Sequence, residues 1–294
     1  MRRRLGFVLA FLFLGVSPLR AGEGFVVLTE AVQLRVAEAF LAEKEYYRAI
    51  TEFKRFLYLF PDSERGDQAL LQIGSAYLQG GEPNQAARSF LNLREKFPSS
   101  PLAQQSRFLE GLAVWKGKDR EKAKTLFETL ADEDPPSPYA PRALGAAALV
   151  RLEEDNPRGS RDTLQRFLET FPDHPWAERV READALLIEY QSLPEKSEVM
   201  AGILSAILPG AGYAYAGELA TGFMSLAVNG AFIAATWTAL AQGLEAVGIL
   251  AGGVGLPFYI GNIYGSALAA RKWNQAVKKK ARDPIYSALG FVFD

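Results

Sequence analysis

Cysteine is absent from the 294-residue sequence, and histidine occurs only once, as His174. The lack of cysteine excludes disulfides, thiolate metal sites and a lipid-modified cysteine. His174 stands in the turn-like stretch FPDHP, where it forms neither a Cys–His pair nor an obvious Ser–His–Asp set. We therefore predict that the protein is not an enzyme and uses no metal or cofactor.

Charge is nearly absent from residues 199–270, where Glu218 and Glu245 are the only charged residues. Residues 22–198, in contrast, hold 30 of the 34 acidic residues and 23 of the 33 basic ones. This acidic surplus argues against nucleic acid as a partner. The contrast predicts a water-exposed domain followed by a membrane domain.

The first 21 residues have the composition of a secretory signal peptide. Three arginines precede an apolar stretch, Leu5 to Val16, and Ala21 offers a small residue for cleavage. Cleavage after Ala21 is the favoured prediction, and a retained anchor is the alternative. The predicted boundaries are a signal peptide at 1–21, a repeat domain at 22–192, a linker at 193–198, a transmembrane domain at 199–270 and a basic tail at 271–294.

A period of 37 residues runs through the repeat domain, which is the mark of a repeat architecture. The prolines that keep this step are Pro61, Pro98, Pro135 and Pro172. Within one period, Ala86, Phe90, Leu93 and Phe97 follow helical spacing and share one face. Each period therefore predicts two helices. The predicted pairs are 29–42 with 46–60, 64–79 with 83–97, 101–116 with 120–133, and 138–153 with 157–171, capped by a helix at 175–191.

Gly74, Tyr77, Ala86, Phe90 and Pro98 stand at the relative spacings of tetratricopeptide repeats, which this domain resembles. The stretched turn after each proline is similar to the repeats of bacterial envelope proteins, including those that assist outer-membrane protein assembly and those that coordinate cell-wall synthesis. The resemblance implies an all-α solenoid of helical hairpins that binds an envelope protein or peptide on its concave face.

In that family the concave face comes from the first helix of each pair. The partner-binding residues that the resemblance implies are Leu71, Leu78, Phe108, Leu112, Trp115, Leu149 and Leu152. For each leucine, the alternative is a packing role against the neighbouring helix. This alternative is weaker for Trp115, which ends its helix just before KGKD.

Two uncharged runs, 219–241 and 246–270, are each long enough to cross a bilayer core of about 30 Å. They predict a transmembrane hairpin in contact with membrane lipid. Small residues allow helices to approach closely, either within the hairpin or in a homo- or hetero-oligomer. Buried asparagine amides need hydrogen-bond partners on a neighbouring helix. The predicted packing residues are Pro209, Gly210, Gly212, Gly217, Asn229, Gly248, Gly252, Gly261, Asn262 and Gly265.

The segment LSAILPGAGYAYAGELATG breaks an apolar helix at Pro209. The apolar part before the break, 199–208, is only about 15 Å long as a helix. The break therefore either ends a short re-entrant helix or kinks a third crossing. Three crossings are favoured, because they would place the basic tail in the cytoplasm as the positive-inside tendency requires. The segment resembles small bacterial domains with two transmembrane helices, which implies a membrane location.

These observations predict an inner-membrane scaffold or adaptor whose repeats lie in the periplasm and bind an envelope protein. Biogenesis of membrane or outer-membrane proteins and cell-wall synthesis are the processes that it would serve. One alternative is a component of an oligomeric transporter or channel that the repeats regulate; another is an architectural tether. For residues 284–294 the sequence predicts only an amphipathic contact with the membrane.

Overall fold

The computed structural model describes residues 28–133 and 137–293. The predicted signal peptide at 1–21, Asp134, Pro135 and Asp294 lie outside the described residues. Regular structure in the described residues is entirely helical. The helices of the repeat domain are α1 (Glu30–Ala42), α2 (Tyr46–Leu59), α3 (Gly66–Gln79), α4 (Pro83–Lys96), α5 (Ala103–Lys116), α6 (Arg120–Glu133), α7 (Ala140–Glu153), α8 (Pro157–Thr170) and α9 (Ala177–Gln191). The remaining elements are α10 (Glu198–Ile207), α11 (Ala211–Ala216), α12 (Leu219–Ala241), α13 (Glu245–Ala288) and a 3₁₀ turn, Gly290–Val292.

The repeat domain stacks four helical pairs and the capping helix α9, and the predicted all-α, tetratricopeptide-like solenoid is confirmed. Each pair turns through one residue with a left-handed backbone, and these residues are also 37 positions apart. They are Lys44, Gly81, Lys118 and Asp155, with φ between 57° and 83°. The period seen in the apolar residues therefore extends to the backbone of the turns.

Aromatic rings packed onto glycines explain why both residue types recur. Phe90 and Phe127 are fully buried. A Cβ at Gly74 would lie 2.5 Å from the ring of Phe90, and a Cβ at Gly111 would lie 2.5 Å from the ring of Phe127. The phenylalanine ring thus occupies the space that a side chain at the glycine position would fill. Burying each ring stabilises the fold by about 1.5–3 kcal/mol.

The turns between pairs are closed by a short polar side chain. In the second turn, Ser100 accepts a hydrogen bond from Leu102 N at 3.0 Å and donates one to Asp67. At the corresponding position of the last turn, Nδ1 of His174 accepts a hydrogen bond from Trp176 N at 3.3 Å. Partial burial lowers the pKa of His174 below its ordinary value. The single histidine thus has the turn role that its position predicts.

Two helices in the described part of the chain, α12 and α13, are long and apolar enough to cross a membrane by length and composition. Most of their apolar side chains are exposed, as with Phe223 and Trp237, which are 78% and 76% exposed. Helices of a water-soluble core would bury such residues. Their surface therefore suits lipid better than water.

The Pro209 break ends a short helix. Helix α10 stops at Ile207, Gly210 has φ 88°, and the chain then forms α11. Asn262 of α13 holds this break: its Oδ1 accepts hydrogen bonds from Gly210 N at 2.9 Å and from Ser225 Oγ at 2.7 Å. Its Nδ2 donates to Ser205 O at 2.9 Å. Backbone groups freed by the break are thus satisfied by protein, as an apolar environment requires.

Helix α13 does not end with its apolar run at residue 270 but continues to Ala288 and reaches the repeat domain. Lys278 Nζ binds the carboxylate of Asp155 at 2.7 Å, and Arg282 Nε donates to Tyr190 at 3.0 Å. The basic tail therefore lies on the same side of the apolar helices as the repeats. Three crossings would place the tail and the repeats on opposite sides of a membrane, so this contact favours two.

Residues 285–293 also differ from expectation. They do not form an amphipathic contact beside the apolar helices, because Ile285, Leu289 and Phe291 are completely buried in the core of the third and fourth repeats. Burial of these apolar side chains from water is the driving force that draws the tail away from a membrane surface.

Candidate partner-binding groove

The surface formed by the first helix of each pair, α1, α3, α5 and α7, is here called the inner face. Along it, the residues at corresponding positions are 37 apart. The three rows are Leu71, Phe108 and Gly145; Ser75, Leu112 and Leu149; and Leu78, Trp115 and Leu152. The structure places all seven residues implied by the family resemblance in these rows.

Four of the seven residues are core side chains. Leu149 and Leu152 have no exposed surface, Phe108 is 2% exposed and Leu71 is 8% exposed. Removing these residues would therefore perturb the fold before it perturbed a partner.

The other three residues, Leu78, Leu112 and Trp115, are half-buried and line one open cavity. The cavity spans α3 and α5, and Phe293 and Tyr286 from the C-terminal segment form its far wall. An apolar floor with an aromatic wall is the usual composition of a pocket that takes an apolar side chain. We call this cavity the groove.

The C-terminal segment lies on the inner face of the third and fourth repeats. Phe293 stacks on Trp115 with ring centroids 5.8 Å apart, and Phe291 stacks on Trp176 with centroids 4.5 Å apart. Offset aromatic pairs of this kind contribute about 0.5–1.5 kcal/mol beyond their buried area. The inner face is therefore filled at its C-terminal half and open at the groove.

Glu153 joins the groove to the C-terminal segment. Its carboxylate accepts hydrogen bonds from Trp115 Nε1 at 3.0 Å, Arg120 Nε at 3.0 Å and Tyr286 Oη at 2.9 Å. Burial would raise the pKa of Glu153, but the three hydrogen bonds outweigh it and hold the pKa below its ordinary value. Burial and the same contact raise the pKa of Tyr286. Glu153 thus orients the indole of Trp115.

The rim of the groove is basic. Lys116, Lys118 and Arg120 border it, and Lys116 also donates to the backbone oxygen of Leu78 at 3.0 Å. Arg120 is paired with Glu153. The electrostatic field at this rim favours a ligand that carries negative charge next to an apolar side chain.

A second polar cluster holds α13 against the repeats. Asp155 accepts from Lys278, Tyr190 and Arg282. The Lys278 contact is the main reason that the pKa of Asp155 lies below its ordinary value, and the contacts of Lys278 with Asp155 and Glu195 raise the pKa of Lys278. We call Asp155, Glu195, Lys278 and Arg282 the latch.

The predicted membrane packing residues divide by environment. Pro209 and Gly212 are buried, and a Cβ at Gly212 would lie 1.9 Å from Ala201 O. Gly217 has φ 96° and ends α11. Asn229 and Asn262 share Ser225 as a partner but do not bond each other in the described hydrogen bonds.

The remaining glycines of α13 serve different contacts. A Cβ at Gly248 would meet Leu240 at 2.6 Å, and one at Gly265 would meet Tyr213 at 2.0 Å. A Cβ at Gly252 would have ordinary contact with Thr236, and one at Gly261 would have no neighbour within 4 Å. Gly248 and Gly265 therefore leave room for side chains of the same chain.

Sequence reasoning missed Phe291, Val292 and Phe293, and it missed Gly145, which makes room for Phe291 and Val292. A signal was available in α7, because 11 of its 14 residues are buried and its sequence APRALGAAALVRLE is apolar on nearly every face. A helix that is apolar all round has to be covered on all sides. Gly145 also stands where the other repeats have Leu71 and Phe108.

Comparison with known proteins agrees with this architecture. The family model described as "YfiO: Outer membrane lipoprotein" matches residues 35–182, half of the chain. The chain belongs to the YfiO family and is a tetratricopeptide-repeat protein of the bacterial envelope. The match spans the repeats from α1 to α9 and leaves α10–α13 outside it.

The chain is also similar to two solved structures. The apo form of RapI is 14% identical, covers 84% of this chain and 84% of its own, and has a TM-score of 0.45. A tetratricopeptide repeat protein from Parabacteroides merdae ATCC 43184 is 15% identical, covers 90% of this chain and 99% of its own, and has a TM-score of 0.44. No curated protein matches the chain.

Proposed function

We propose that the chain is a membrane-anchored scaffold that binds a protein of the bacterial cell envelope in the groove. The observation that carries the proposal is the half-buried trio Leu78, Leu112 and Trp115, which lines an open cavity on the inner face of a repeat domain, with only Trp115 partly covered, by Phe293. Repeat domains of this class use such surfaces to hold peptides or partner helices. The YfiO family model is that of an outer membrane lipoprotein, which supports a role in outer-membrane or membrane protein biogenesis.

The partner that fits the groove is a polypeptide segment with one large apolar side chain next to an acidic residue. The apolar side chain would lie against Trp115 and Leu112, and the acidic residue would lie at the basic rim formed by Lys116 and Lys118. Hot spots of binding energy are typically aromatic side chains in such partly closed pockets. Trp115 is therefore the expected main contributor to partner affinity.

The anchor in this proposal is the apolar hairpin α12–α13. The sequence contains no cysteine that a lipid could modify. The exposed apolar side chains of α12 and α13 give the chain a different attachment, through helices that contact lipid along their length. Helical anchoring supports the inner membrane, with the repeats in the periplasm.

The contact between the basic tail and the repeats supports two crossings, with α10 and α11 as a re-entrant pair. In this arrangement Arg271, Lys278 and Arg282 would lie in the periplasm, against the positive-inside tendency. All three are paired with carboxylates, those of Glu198 and Asp155. Lys278 and Arg282 therefore serve the docking of α13 onto the repeats, and Arg271 ties α13 to α10.

The binding proposal is tested by photo-crosslinking in cells from probes at Leu78 and Leu112, with a control probe at Tyr58, which is 84% exposed on α2. We expect one envelope protein to be captured from both groove positions and not from Tyr58. Binding of the purified partner should then fall about tenfold or more on Trp115→Ala, the size typical of an aromatic hot spot, and stay unchanged on Tyr58→Ala. Capture from all three positions alike, or unchanged binding by Trp115→Ala, would contradict the groove as the site.

The topology is tested by single cysteines introduced into the cysteine-free chain. A reagent that does not cross membranes is applied to cells with a permeable outer membrane. We expect Tyr58→Cys and Lys279→Cys to be modified and Gln242→Cys, in the turn between α12 and α13, to be protected until the inner membrane is opened. Protection at Lys279 with modification at Tyr58 would show that the tail and the repeats are on opposite sides.

A further inference from the structure

The C-terminal segment, residues 286–293, sits in a space that the fourth repeat provides for it. A Cβ at Gly145 would lie 2.8 Å from Val292 Cγ2 and 3.0 Å from Phe291 Cε2. At the same position of the second and third repeats stand Leu71 and Phe108. The fourth repeat therefore lacks the side chain that would otherwise occupy its inner face, and the segment fills that space.

The segment occupies its site in the way that a bound peptide does. Phe291 is completely buried between Trp176 and Phe167, and Val292 is 1% exposed. Arg179 adds a cation–π contact with the ring of Phe291 at 5.4 Å and a hydrogen bond to Ser287 O at 3.0 Å. Two side chains two positions apart along the chain, Phe291 and Phe293, thus cover two tryptophans.

The coverage weakens toward the groove. Phe293 is 57% exposed although it stacks on Trp115, whereas Phe291 is fully buried. Phe293 is therefore the side chain that another apolar group can replace most easily, because the least buried area is lost when it leaves. A ligand entering from the groove meets Phe293 first.

The segment is also connected to the membrane hairpin. Helix α13 runs from Glu245 to Ala288, with Pro257 and Pro284 inside it, and the latch holds its polar part on Asp155 and Glu195. Lys278 and Arg282 of the latch thus precede the segment on the same helix.

We propose that residues 286–293 are a resident ligand of the inner face, and that a partner segment with two aromatic side chains two positions apart binds there by displacing these residues. This inference rests on the proposed function, since it assigns the partner a second, initially covered part of the same surface. Binding at the groove alone leaves Phe291 in place. Full binding removes Phe291 and Phe293 and frees Trp176 and Trp115. The partner and the resident segment then exclude each other, and each weakens the other's binding by the same factor.

The first experiment uses the full chain in detergent and a dye-labelled synthetic peptide of residues 283–293 as the probe. The double variant Phe291→Ala/Phe293→Ala removes the resident aromatic anchors without changing the surface that receives them. We expect the double variant to bind the peptide saturably. The unmodified chain should bind the peptide at least about tenfold more weakly, because only molecules with a displaced segment are competent to bind.

Gly145→Leu added to the double variant should abolish peptide binding by filling the site. Equal affinity of the unmodified chain and the double variant would overturn the proposal.

The second experiment keeps the resident segment intact, so that it remains informative if the double variant does not fold. Val292→Cys provides the only thiol of the chain, and Tyr58→Cys provides an exposed reference. We expect the thiol at 292 to react with a maleimide far more slowly than the thiol at 58, and Gly145→Leu to accelerate the reaction at 292 alone. Equal rates at 292 and 58 in the unmodified chain would overturn the proposal.

The two proposals fail in different ways. If peptide exchange and thiol protection behave as expected but crosslinking captures no partner from Leu78 or Leu112, the resident ligand stands and the scaffold function fails. If crosslinking identifies a partner whose affinity is the same for the unmodified chain and for Phe291→Ala/Phe293→Ala, the scaffold function stands and displacement fails.

Discussion

The repeat domain and the Pro209 break both use glycine for close packing, but they place different groups against it. In the repeats, Gly74 faces the ring of Phe90, so the glycine receives an apolar side chain. At the break, Gly212 of α11 faces the backbone oxygen of Ala201 in α10, so the glycine allows two backbones to approach. The same residue type serves burial from water in one region and helix contact in the other.

This difference is the one expected if α10–α13 lie in lipid and the repeats in water, as proposed above. In water, burying a phenylalanine is favourable by itself, and the repeats bury one or more in each pair. In lipid, an apolar side chain gains nothing by leaving its surroundings, and helices associate through backbone proximity and hydrogen bonds. Accordingly, Phe223 of α12 is 78% exposed, and Asn262 is 4% exposed.

The largest expected effect comes from replacing a buried ring in the repeats. Phe90→Ala should lower the free energy of unfolding of the repeat domain by about 3–5 kcal/mol, since it leaves a cavity beside Gly74. Phe223→Ala, in the hairpin, should change the stability in detergent by less than about 0.5 kcal/mol, as expected for a surface site. Thermal or denaturant unfolding followed by circular dichroism measures both. Similar losses for the two variants would remove the distinction between the regions.

The next effect tests glycine at the Pro209 break. Gly212→Ala should destabilise the contact between α10 and α11 by about 3 kcal/mol, the upper part of the range for overpacking. The clashing atom, Ala201 O, belongs to the backbone and cannot rotate away. Gly253→Ala is the matched control, because a Cβ there has no neighbour within 4 Å. Limited proteolysis in detergent should show faster cleavage near residue 210 for Gly212→Ala alone; equal cleavage of both variants would argue against tight packing at this break.

A smaller effect separates the two buried asparagines. Asn262→Leu should cost about 1–3 kcal/mol, because it leaves Gly210 N without its acceptor. Asn229→Leu should be close to neutral, since Asn229 Oδ1 has no partner among the described residues and its amide bonds only to Ser225. Thermal inactivation of the detergent-solubilised chain distinguishes the two. A larger loss for Asn229→Leu would indicate that Asn229 has a partner outside this chain.

The repeat domain was predictable because its signals are local and repeated. The 37-residue step fixes both the helical pairs and the left-handed turn residues, and predicted helix ends such as 46–60 lie within two residues of the observed ones, here Tyr46–Leu59. Apolar spacing within a pair is enough to predict which side chains face the neighbouring helix. The apolar hairpin was predictable for a similar reason, because each of its two uncharged runs, 219–241 and 246–270, is long enough to form one long apolar helix.

The groove was predictable only in part, because its other wall comes from far along the chain. Tyr286 bonds to Glu153 across 133 positions, and no periodic pattern relates the two residues. The same holds for the basic tail, whose charge predicts a topology signal but whose partner, Asp155, lies in a turn. Long-range contacts of single side chains leave no local signature.

The smallest expected effect concerns the latch, where the two regions meet. The Lys278 contact holds the pKa of Asp155 below its ordinary value of 3.8. A carboxylate with a lowered folded-state pKa contributes stability that is complete above the ordinary pKa and is lost as the pH falls through the folded-state pKa. Because Asp155 is 48% exposed, solvent screening limits this contribution to a few tenths up to about 1 kcal/mol.

Spin labels on cysteines introduced at Ser287 and Tyr58 report the distance between the C-terminal segment and the repeats. We expect this distance to broaden below about pH 3.8, and less so in Asp155→Asn, which has already lost the contribution. Glu178→Gln, at a side chain that is 85% exposed, should behave like the unmodified chain. If the unmodified chain and Asp155→Asn respond identically to pH, the latch does not contribute to holding the resident segment on the repeats.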